Sequence, residues 1–275
     1  MYRLEPKAES KKPGRKGLLK CKECRKQFTV MVGTIFSDSH IPLHKWLMTF
    51  YLMCSSKKGI SAHQIHRMLG VTYKSAWFMC HRVRYALDMP PLKDKLAGIV
   101  EIDETYVGGK NKNRHADKKI KGRGAVGKAP VVSLVERGGR VRSLPVKTVS
   151  AKNLKEILNE KVSTESRIMT DSYAPYTQAA EGFASHETVN HSEGEYVRGD
   201  VTTNSVESFF ALLKRGIMGT FHHIGEQHLH RYTSEFDFRY SNRKVTAGER
   251  TLLAIQGIEG KRLTYQETLN KISRP

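Results

Sequence analysis

Ile99-Val100-Glu101-Ile102-Asp103-Glu104-Thr105-Tyr106-Val107-Gly108-Gly109 is the stretch that decides the fold of this chain. Apolar and acidic residues alternate through its first half, so the pattern predicts a strand that ends at the two glycines. A strand with acids at alternate positions holds a carboxylate on rigid backbone, as a metal site requires. The simpler alternative is an edge strand whose charges prevent pairing with other chains.

The charge balance of the 275 residues indicates a polyanionic partner. The chain has 47 Lys and Arg against 27 Asp and Glu, which gives a net charge of +20. Nucleic acid is the first interpretation, and a charged membrane surface is the second. No apolar run approaches the ~18–20 residues of a membrane span, and the N-terminus has no signal-peptide core. We therefore predict a cytoplasmic protein with no membrane partner.

The four cysteines do not suggest a disulfide framework in a chain of this length. Cys21-Lys22-Glu23-Cys24 is a C-x2-C knuckle within a basic arm, and two such knuckles make a four-thiolate zinc site. Cys54 and Cys80 lie alone in apolar, helical segments and are interpreted as small buried hydrophobes. Either the other half of the zinc site is missing from this chain, or the pair binds no zinc.

A helical pattern extends from Pro42 to Leu87. It contains one helix from Ser61 to Leu69 and another from Thr72 to Leu87, separated by a tight turn. This spacing predicts a helix-turn-helix whose second helix enters the major groove of DNA. Among the outward positions of that helix we expect DNA-contacting residues, namely Lys74, Arg82 and Arg84. A plain helical hairpin is the alternative.

Residues 110–128 form a basic, glycine-containing loop directly after the acidic strand. Lys110, Lys112 and Arg114 are candidate contacts to the DNA backbone. The alternative is a loop that is simply solvated. Two strands, Val131–Val135 and Val141–Val146, follow and would complete a three-stranded antiparallel meander with the acidic strand.

Acids recur at two later positions of the predicted fold. The predicted order is three strands, a helix, a strand ending at Asp171 and a later helix carrying Glu207. This order matches the ribonuclease-H-like plan, in which helices flank a mixed sheet. The predicted fold class is therefore α/β or α+β. In that plan Asp103, Asp171 and Glu207 meet. Their oxygens suit Mg²⁺ or Mn²⁺, and two ions ~3.5–4 Å apart can assist phosphodiester cleavage.

The third acid has competing explanations. Asn204-Ser205-Val206-Glu207 fits a capping box, with Asn204 as N-cap, which would explain Glu207 structurally. Asn204 is also a rival third metal ligand because its amide oxygen can bind a cation. Glu101 and Glu104, on the acidic strand itself, are weaker candidates.

The sequence resembles DDE transposases of bacterial insertion sequences, specifically the ISXO-like group. The matching pieces occur in order over most of residues 20–245. They are Cys21-x-x-Cys24-Arg25-Lys26-Gln27-Phe28-Thr29-Val30, Gly33-Thr34-Ile35-Phe36, Pro42-Leu43 with Trp46, Asp103-Glu104-Thr105-Tyr106-Val107-Gly108-Gly109-Lys110, Thr170-Asp171, Val189-Asn190-His191, Gly194-Glu195-Tyr196-Val197, Thr203-Asn204-Ser205-Val206-Glu207 and Leu213-Lys214-Arg215-Gly216.

The resemblance implies the catalytic triad Asp103, Asp171 and Glu207, with Lys214 as the basic residue that accompanies the glutamate. Lys214 and Arg215 are then candidate DNA contacts. It also implies a zinc ribbon and a helix-turn-helix ahead of a ribonuclease-H-like integrase domain. This chain departs from the group at its start, because residues 1–20 contain no Cys to complete the ribbon.

Together these features predict four segments and one principal function. The segments are a basic arm with a truncated zinc ribbon (1–40), a helix-turn-helix (41–92), a ribonuclease-H-like catalytic domain (93–245) and a C-terminal helical tail (246–275). The expected function is metal-dependent cleavage and strand transfer at insertion-sequence ends, on double-stranded DNA, by a dimer or larger assembly. The alternatives are a stand-alone nuclease with the same core and a truncated, inactive DNA-binding protein.

Overall fold

The computed structural model describes residues 1–4, 17–88, 95–109, 111–122 and 124–269. Within these ranges the strands are β1 (Tyr2–Leu4), β2 (Leu18–Lys20), β3 (Gln27–Phe28), β4 (Ile99–Val107), β5 (Ala129–Glu136), β6 (Val141–Pro145), β7 (Arg167–Asp171), β8 (Ser185–Val189), β9 (Val197–Arg198) and β10 (Val201–Thr202). The helices are α1 (Leu43–Ser55), α2 (Ala62–Leu69), α3 (Tyr73–Leu87), α4 (Ala151–Lys161), α5 (Pro175–Ala179), α6 (Asn204–Gly216), α7 (Leu229–Ser241), α8 (Ala247–Gln256) and α9 (Tyr265–Leu269).

A mixed sheet forms the centre of the fold. In the described part of the chain it has five strands in the order β6-β5-β4-β7-β8. β4 is antiparallel to β5, and β5 is antiparallel to β6, so the predicted meander is confirmed. β4 is also parallel to β7, and β7 is parallel to β8. The acidic strand is therefore central and not an edge strand.

Helices cover both faces of this sheet. The side chains of β4 alternate between the two faces, so each face has residues to pack against a helical layer. Val100 and Ile102 pack with α4 and α5 in one apolar cluster. On the other face Val206 and Phe209 of α6 pack with Phe236 of α7. A mixed sheet between two helical layers is the predicted architecture, and it is compatible with a ribonuclease-H-like domain.

Local side-chain signals set the ends of α2 and α3. Ser61 accepts a hydrogen bond from the Gln64 amide at 3.2 Å, and Thr72 accepts one from the Ser75 amide at 3.2 Å. Gly70 ends α2 in the left-handed conformation, with φ of +58°, which glycine adopts without strain. The predicted helix boundaries are therefore confirmed, whereas DNA binding by this unit stays a prediction.

The predicted outward face of α3 is wrong at two of its three cationic positions. Lys74 is exposed, but Arg82 and Arg84 have only 6% and 2% of their surface exposed. Arg82 donates to the backbone oxygens of Ile35 and Leu263, at 2.7 and 2.9 Å. Arginine is rarely buried without partners, and these partners come from distant sequence positions that the helical pattern does not reveal.

The cysteines of α1 and α3 are buried, as predicted. Neither Cys54 nor Cys80 has measurable exposure. Burial raises the pKa of Cys54 to about 12 and that of Cys80 to about 11, because the thiolate loses its solvation. Both side chains therefore act as small hydrophobes and cannot complete a zinc site.

The C-terminal helix α8 packs against the N-terminal helices. Ala254 of α8 belongs to the apolar cluster that α1 and α3 form around Phe50 and Met79. The predicted boundary between residues 92 and 93 lies outside the described residues. No helix in the described ranges is both long enough and apolar enough to cross a bilayer.

Candidate active site

Asp103 lies on the central strand, opposite Ser133 of β5. Burial raises the pKa of Asp103 to about 7. The negative charges of Glu104, Asp171 and Glu207 act in the same direction, while the backbone amide of Glu104, which donates to Asp103 Oδ1 at 2.7 Å, opposes them. The structure thus brings Asp103 within electrostatic range of both of its predicted partners.

Asp171 reaches this region because β7 runs parallel to β4 and ends next to it. The carboxyl ends of neighbouring parallel strands meet at one edge of a sheet. The Asp171 carboxylate accepts a hydrogen bond from the Tyr173 amide at 3.1 Å, which holds it at the strand end.

Glu207 lies one turn into α6, which packs on the face of the sheet opposite α4 and α5. Its carboxylate accepts a hydrogen bond from the Thr203 hydroxyl at 3.1 Å and lies 3.6 Å from His191 Nε2. The predicted capping box is wrong, because the helix has Thr203 and not Asn204 as its N-cap. Glu207 is then one position beyond the place that a capping box needs. A capping box therefore does not explain this acid. Asn204 is exposed in the first helical turn.

The donor chemistry of this cluster fits a hard divalent cation, although each carboxylate is turned to a local donor. Within the described ranges no group of three His, Cys, Asp or Glu side chains is arranged to hold an ion. Asp103, Asp171 and Glu207 instead accept hydrogen bonds from nearby backbone or hydroxyl groups. A divalent cation would reduce the repulsion between these carboxylates.

Glu104 points to the opposite face of the sheet, as the alternation of β4 predicts. Its Oε2 accepts a hydrogen bond from the Tyr176 hydroxyl at 2.7 Å. Burial raises the pKa of Glu104, and this hydroxyl partly offsets the effect. Tyr176 has no exposed surface and comes from α5, so Glu104 is connected to the helices on that face.

A basic pocket of about 910 Å³ lies at the end of β4, the strand that carries Asp103. Residues 104–109, which are the last four residues of β4 and the two glycines after it, line the pocket together with the lysines Lys112, Lys128 and Lys214. Lys112 and Lys214 are exposed, and their contact with DNA stays a prediction. Arg114 instead donates to the Gly127 carbonyl at 3.0 Å. Lys110 lies outside the described residues.

A second pocket of about 490 Å³ shares Lys214 with the first and is also lined by Lys58 and Arg215. The end of α6 passes close to the backbone of Lys58. A Cβ atom on Gly216 would come within 2.7 Å of the Lys58 carbonyl oxygen, so only glycine allows this approach. This close approach constrains the end of α6, where Lys214 lines both pockets. Lys214 lies about two helical turns from Glu207.

The C-x2-C knuckle folds as a tight turn between β2 and β3. The Cys21 amide donates to the Lys26 carbonyl at 3.0 Å, and Arg25 adopts a positive φ of 59°. Hydrogen bonds from the Cys24 and Glu23 amides lower the pKa of Cys21. Cys21 and Cys24 are two of the four ligands that a structural zinc ion needs, and the described residues place no third ligand beside them.

The side chains that surround Glu207 could not be identified from the sequence pattern. His191 and Thr203 contact Glu207, and His191 packs against the ring of Tyr196 with centroids 5.1 Å apart. The motif Val189-Asn190-His191 was a signal, but it indicated only a polar loop after a strand. The alternation of β4 places Glu101 on the same face as Asp103, but the strand pattern does not reveal the hydrogen bonds from Ser205 and Val206 of α6 to Glu101.

Comparison with known proteins places the chain in a family. Residues 95–241 match the ISXO2-like transposase domain. An uncharacterised protein in the transposable element ISH50 of Halobacterium salinarum is 32% identical over 206 residues, which cover 71% of this chain and 69% of that protein. A chain in the cryo-EM structure of the simian T-cell lymphotropic virus intasome in complex with PP2A regulatory subunit B56 gamma aligns with 84% of this chain and 73% of its own length, at 14% identity and a TM-score of 0.28.

The mixed sheet between helical layers is compatible with the class of ribonuclease-H-like transposase domains. The extent of the sequence match identifies the family within this class. The chain belongs to the ISXO2-like transposase family.

Proposed function

We propose that this chain catalyses metal-dependent DNA cleavage at the ends of an insertion sequence and then joins the freed ends to target DNA. The observation that supports the proposal is the placement of Asp103 on β4 near the carboxyl end of the parallel strand β7, where Asp171 lies, and within electrostatic range of Glu207 on α6. Neighbouring carboxylates repel one another when no cation is present, and a divalent cation would draw them together. We infer DNA as the substrate from membership of the transposase family.

In the proposed reaction water attacks a phosphorus atom at the element end, and the bond from phosphorus to the 3′ oxygen breaks. The products are a 3′-hydroxyl on the element and a 5′-phosphate on the flanking strand. The 3′-hydroxyl then attacks a target phosphorus, and the displaced 3′ oxygen of the target leaves as a hydroxyl. No covalent bond between protein and DNA is required.

Asp103, Asp171 and Glu207 would hold Mg²⁺ or Mn²⁺, with Asn204 as the rival for the third position. Two such ions would supply activation of the attacking oxygen and stabilisation of the leaving oxygen. Lys112 and Lys214 would bind the phosphates of the strand being cut, because both line the pocket at the end of β4, the strand that carries Asp103. Both element ends must be held together for joining, so we propose that two or more copies assemble on DNA.

The test is a cleavage and joining assay on DNA that carries the element ends, with Mg²⁺ present. Cleavage followed by joining supports the transposase. Cleavage without joining would identify a stand-alone nuclease, and binding without cleavage an inactive DNA-binding protein. An Asp171→Asn variant that cuts as fast as the parent would overturn the proposed site.

Lys214→Ala is expected to weaken DNA binding about three- to tenfold and to reduce the slope of log affinity against log salt by about 0.9, the value for one lost phosphate contact. Binding is measured at several salt concentrations in EDTA, so that cleavage does not interfere. Lys152→Ala is the matched control, because Lys152 is an exposed lysine on α4, the helix on the opposite face of the sheet. Equal slopes for the two variants would exclude a phosphate contact at Lys214.

A further inference from the structure

Glu101 is a fully buried acid two residues before Asp103 on β4. Both of its carboxylate oxygens bind α6. Oε2 accepts hydrogen bonds from the backbone amides of Ser205 and Val206 at 2.6 and 3.2 Å, and Oε1 accepts one from the Ser205 hydroxyl at 3.0 Å. A side chain of the central strand is therefore bonded directly to the helix that carries Glu207.

These bonds replace the usual cap of α6. The first amides of a helix have no partner within the helix, and a nearby side chain normally accepts from them. Thr203 is the N-cap residue, but its side chain makes no capping bond. Glu101 supplies the acceptor from another element, and its negative charge is favourable at the positive end of the helix dipole.

Arg137 connects Glu101 to β7, the strand that carries Asp171. Its Nε donates to Glu101 Oε1 at 2.9 Å. The remaining nitrogens donate to the Asp200 carbonyl at 2.9 Å, the Thr202 carbonyl at 3.3 Å and the Met169 sulfur at 3.1 Å. Met169 lies on β7, two residues before Asp171. The pair of Glu101 and Arg137 thus contacts β4, β7 and the chain that leads into α6.

We propose that Glu101 is a positioning residue, which sets the spacing of Asp103 and Glu207 so that they can share a divalent cation. Glu101 is not itself a metal ligand, because its two oxygens are occupied by Ser205, Val206 and Arg137. Asp103 lies one strand repeat, about 7 Å, beyond Glu101 on the same face. Glu207 lies two residues after Ser205 on the helix. This role rests on the metal-dependent cleavage proposed above.

Glu101→Gln tests this role, because it keeps the shape of the side chain but brings an NH₂ group among donors. We expect the Mg²⁺ concentration for half-maximal cleavage to rise about tenfold or more, as for other residues that orient metal ligands. Mn²⁺ binding to the metal-free protein, followed by electron paramagnetic resonance, should weaken by a similar factor. Hydrogen exchange at the amides of Ser205 and Val206 should accelerate.

Asp237→Asn is the matched control. Asp237 is also a buried acid that joins a helix to the same sheet, through the Ser143 amide and hydroxyl at 2.7 and 2.6 Å. This variant should keep the parent's Mg²⁺ requirement even if it lowers the melting temperature. Should Glu101→Gln fail to fold, Ser205→Ala removes one of the same bonds and should raise the Mg²⁺ requirement by about two- to fivefold.

A folded Glu101→Gln protein with the parent's Mg²⁺ requirement and Mn²⁺ affinity would overturn the positioning role while leaving the proposed function intact. A parent protein that neither binds Mn²⁺ nor cuts DNA would overturn the proposed function, and this role with it. The two failures are therefore distinguished by the behaviour of the parent.

Discussion

Asp103→Asn is expected to lower DNA cleavage by about 10²–10³-fold or more and to make the metal-free protein more stable above pH 7. Cleavage falls because an amide cannot supply the charge that a divalent cation needs from this position. Stability rises because the substitution removes a carboxylate that burial and three neighbouring acids hold in an unfavourable ionised state.

The pH dependence of this gain follows from the folded-state pKa of Asp103. That pKa is about 7 against an ordinary value of 3.8, so the fold favours the protonated form. The stabilisation from the protonated acid is complete below about pH 4 and is lost as the pH rises through 7. Metal-free Asp103→Asn should therefore match the parent near pH 4 and exceed it by about 2–4 kcal/mol at pH 8.

Chemical denaturation of both proteins in EDTA at several pH values measures this difference, and the cleavage assay measures the loss of activity. Glu156→Gln, at an exposed position on α4, is the control for both readouts. An Asp103→Asn protein that is less stable than the parent at pH 8 would contradict the unfavourable ionised state of Asp103 in the fold.

Glu235→Gln is expected to destabilise the fold by about 3–5 kcal/mol, the effect of breaking a buried ion pair. Glu235 has no exposed surface and lies on α7, where it binds two guanidinium groups. Arg84 of α3 donates to it at 2.6 Å, and Arg239 donates from one turn further along α7. The glutamate therefore joins the N-terminal helices to the helix that packs on the sheet.

The loss is large because the substitution leaves two cations buried together. Burial opposes the ionisation of Glu235, but the two guanidinium groups lower its pKa below the ordinary value. Equilibrium unfolding at pH 7 measures the change in the free energy of unfolding. Glu181→Gln is the control, since its exposed pair with Lys155 at 3.3 Å should contribute less than about 1 kcal/mol. Equal effects of the two substitutions would contradict the buried network.

The central sheet could be predicted from sequence because its information is local. Alternation in β4, turn glycines after β5 and an apolar run in β5 define strands, and the order of elements restricts how they pair. The acids Asp103 and Asp171 could be placed for the same reason, since each lies at a recognisable position on a strand.

The contacts that hold the site together could not be predicted, because they join residues far apart in the chain. Glu101 and Ser205 are 104 positions apart, and Arg84 and Glu235 are 151 apart. A pattern of charges on a helix indicates exposure by default, which is why Arg82 and Arg84 were placed on the outer face. The N-cap of α6 was misplaced by one residue because its acceptor comes from β4.

Mn²⁺ binding to the metal-free protein, followed by electron paramagnetic resonance, tests most directly whether the three acids form one metal site. We expect the parent to bind Mn²⁺, and Asp103→Asn, Asp171→Asn and Glu207→Gln each to weaken that binding at least about tenfold. The Glu156→Gln control should bind as the parent does. Mn²⁺ binding that is unchanged in all three variants would contradict a shared site.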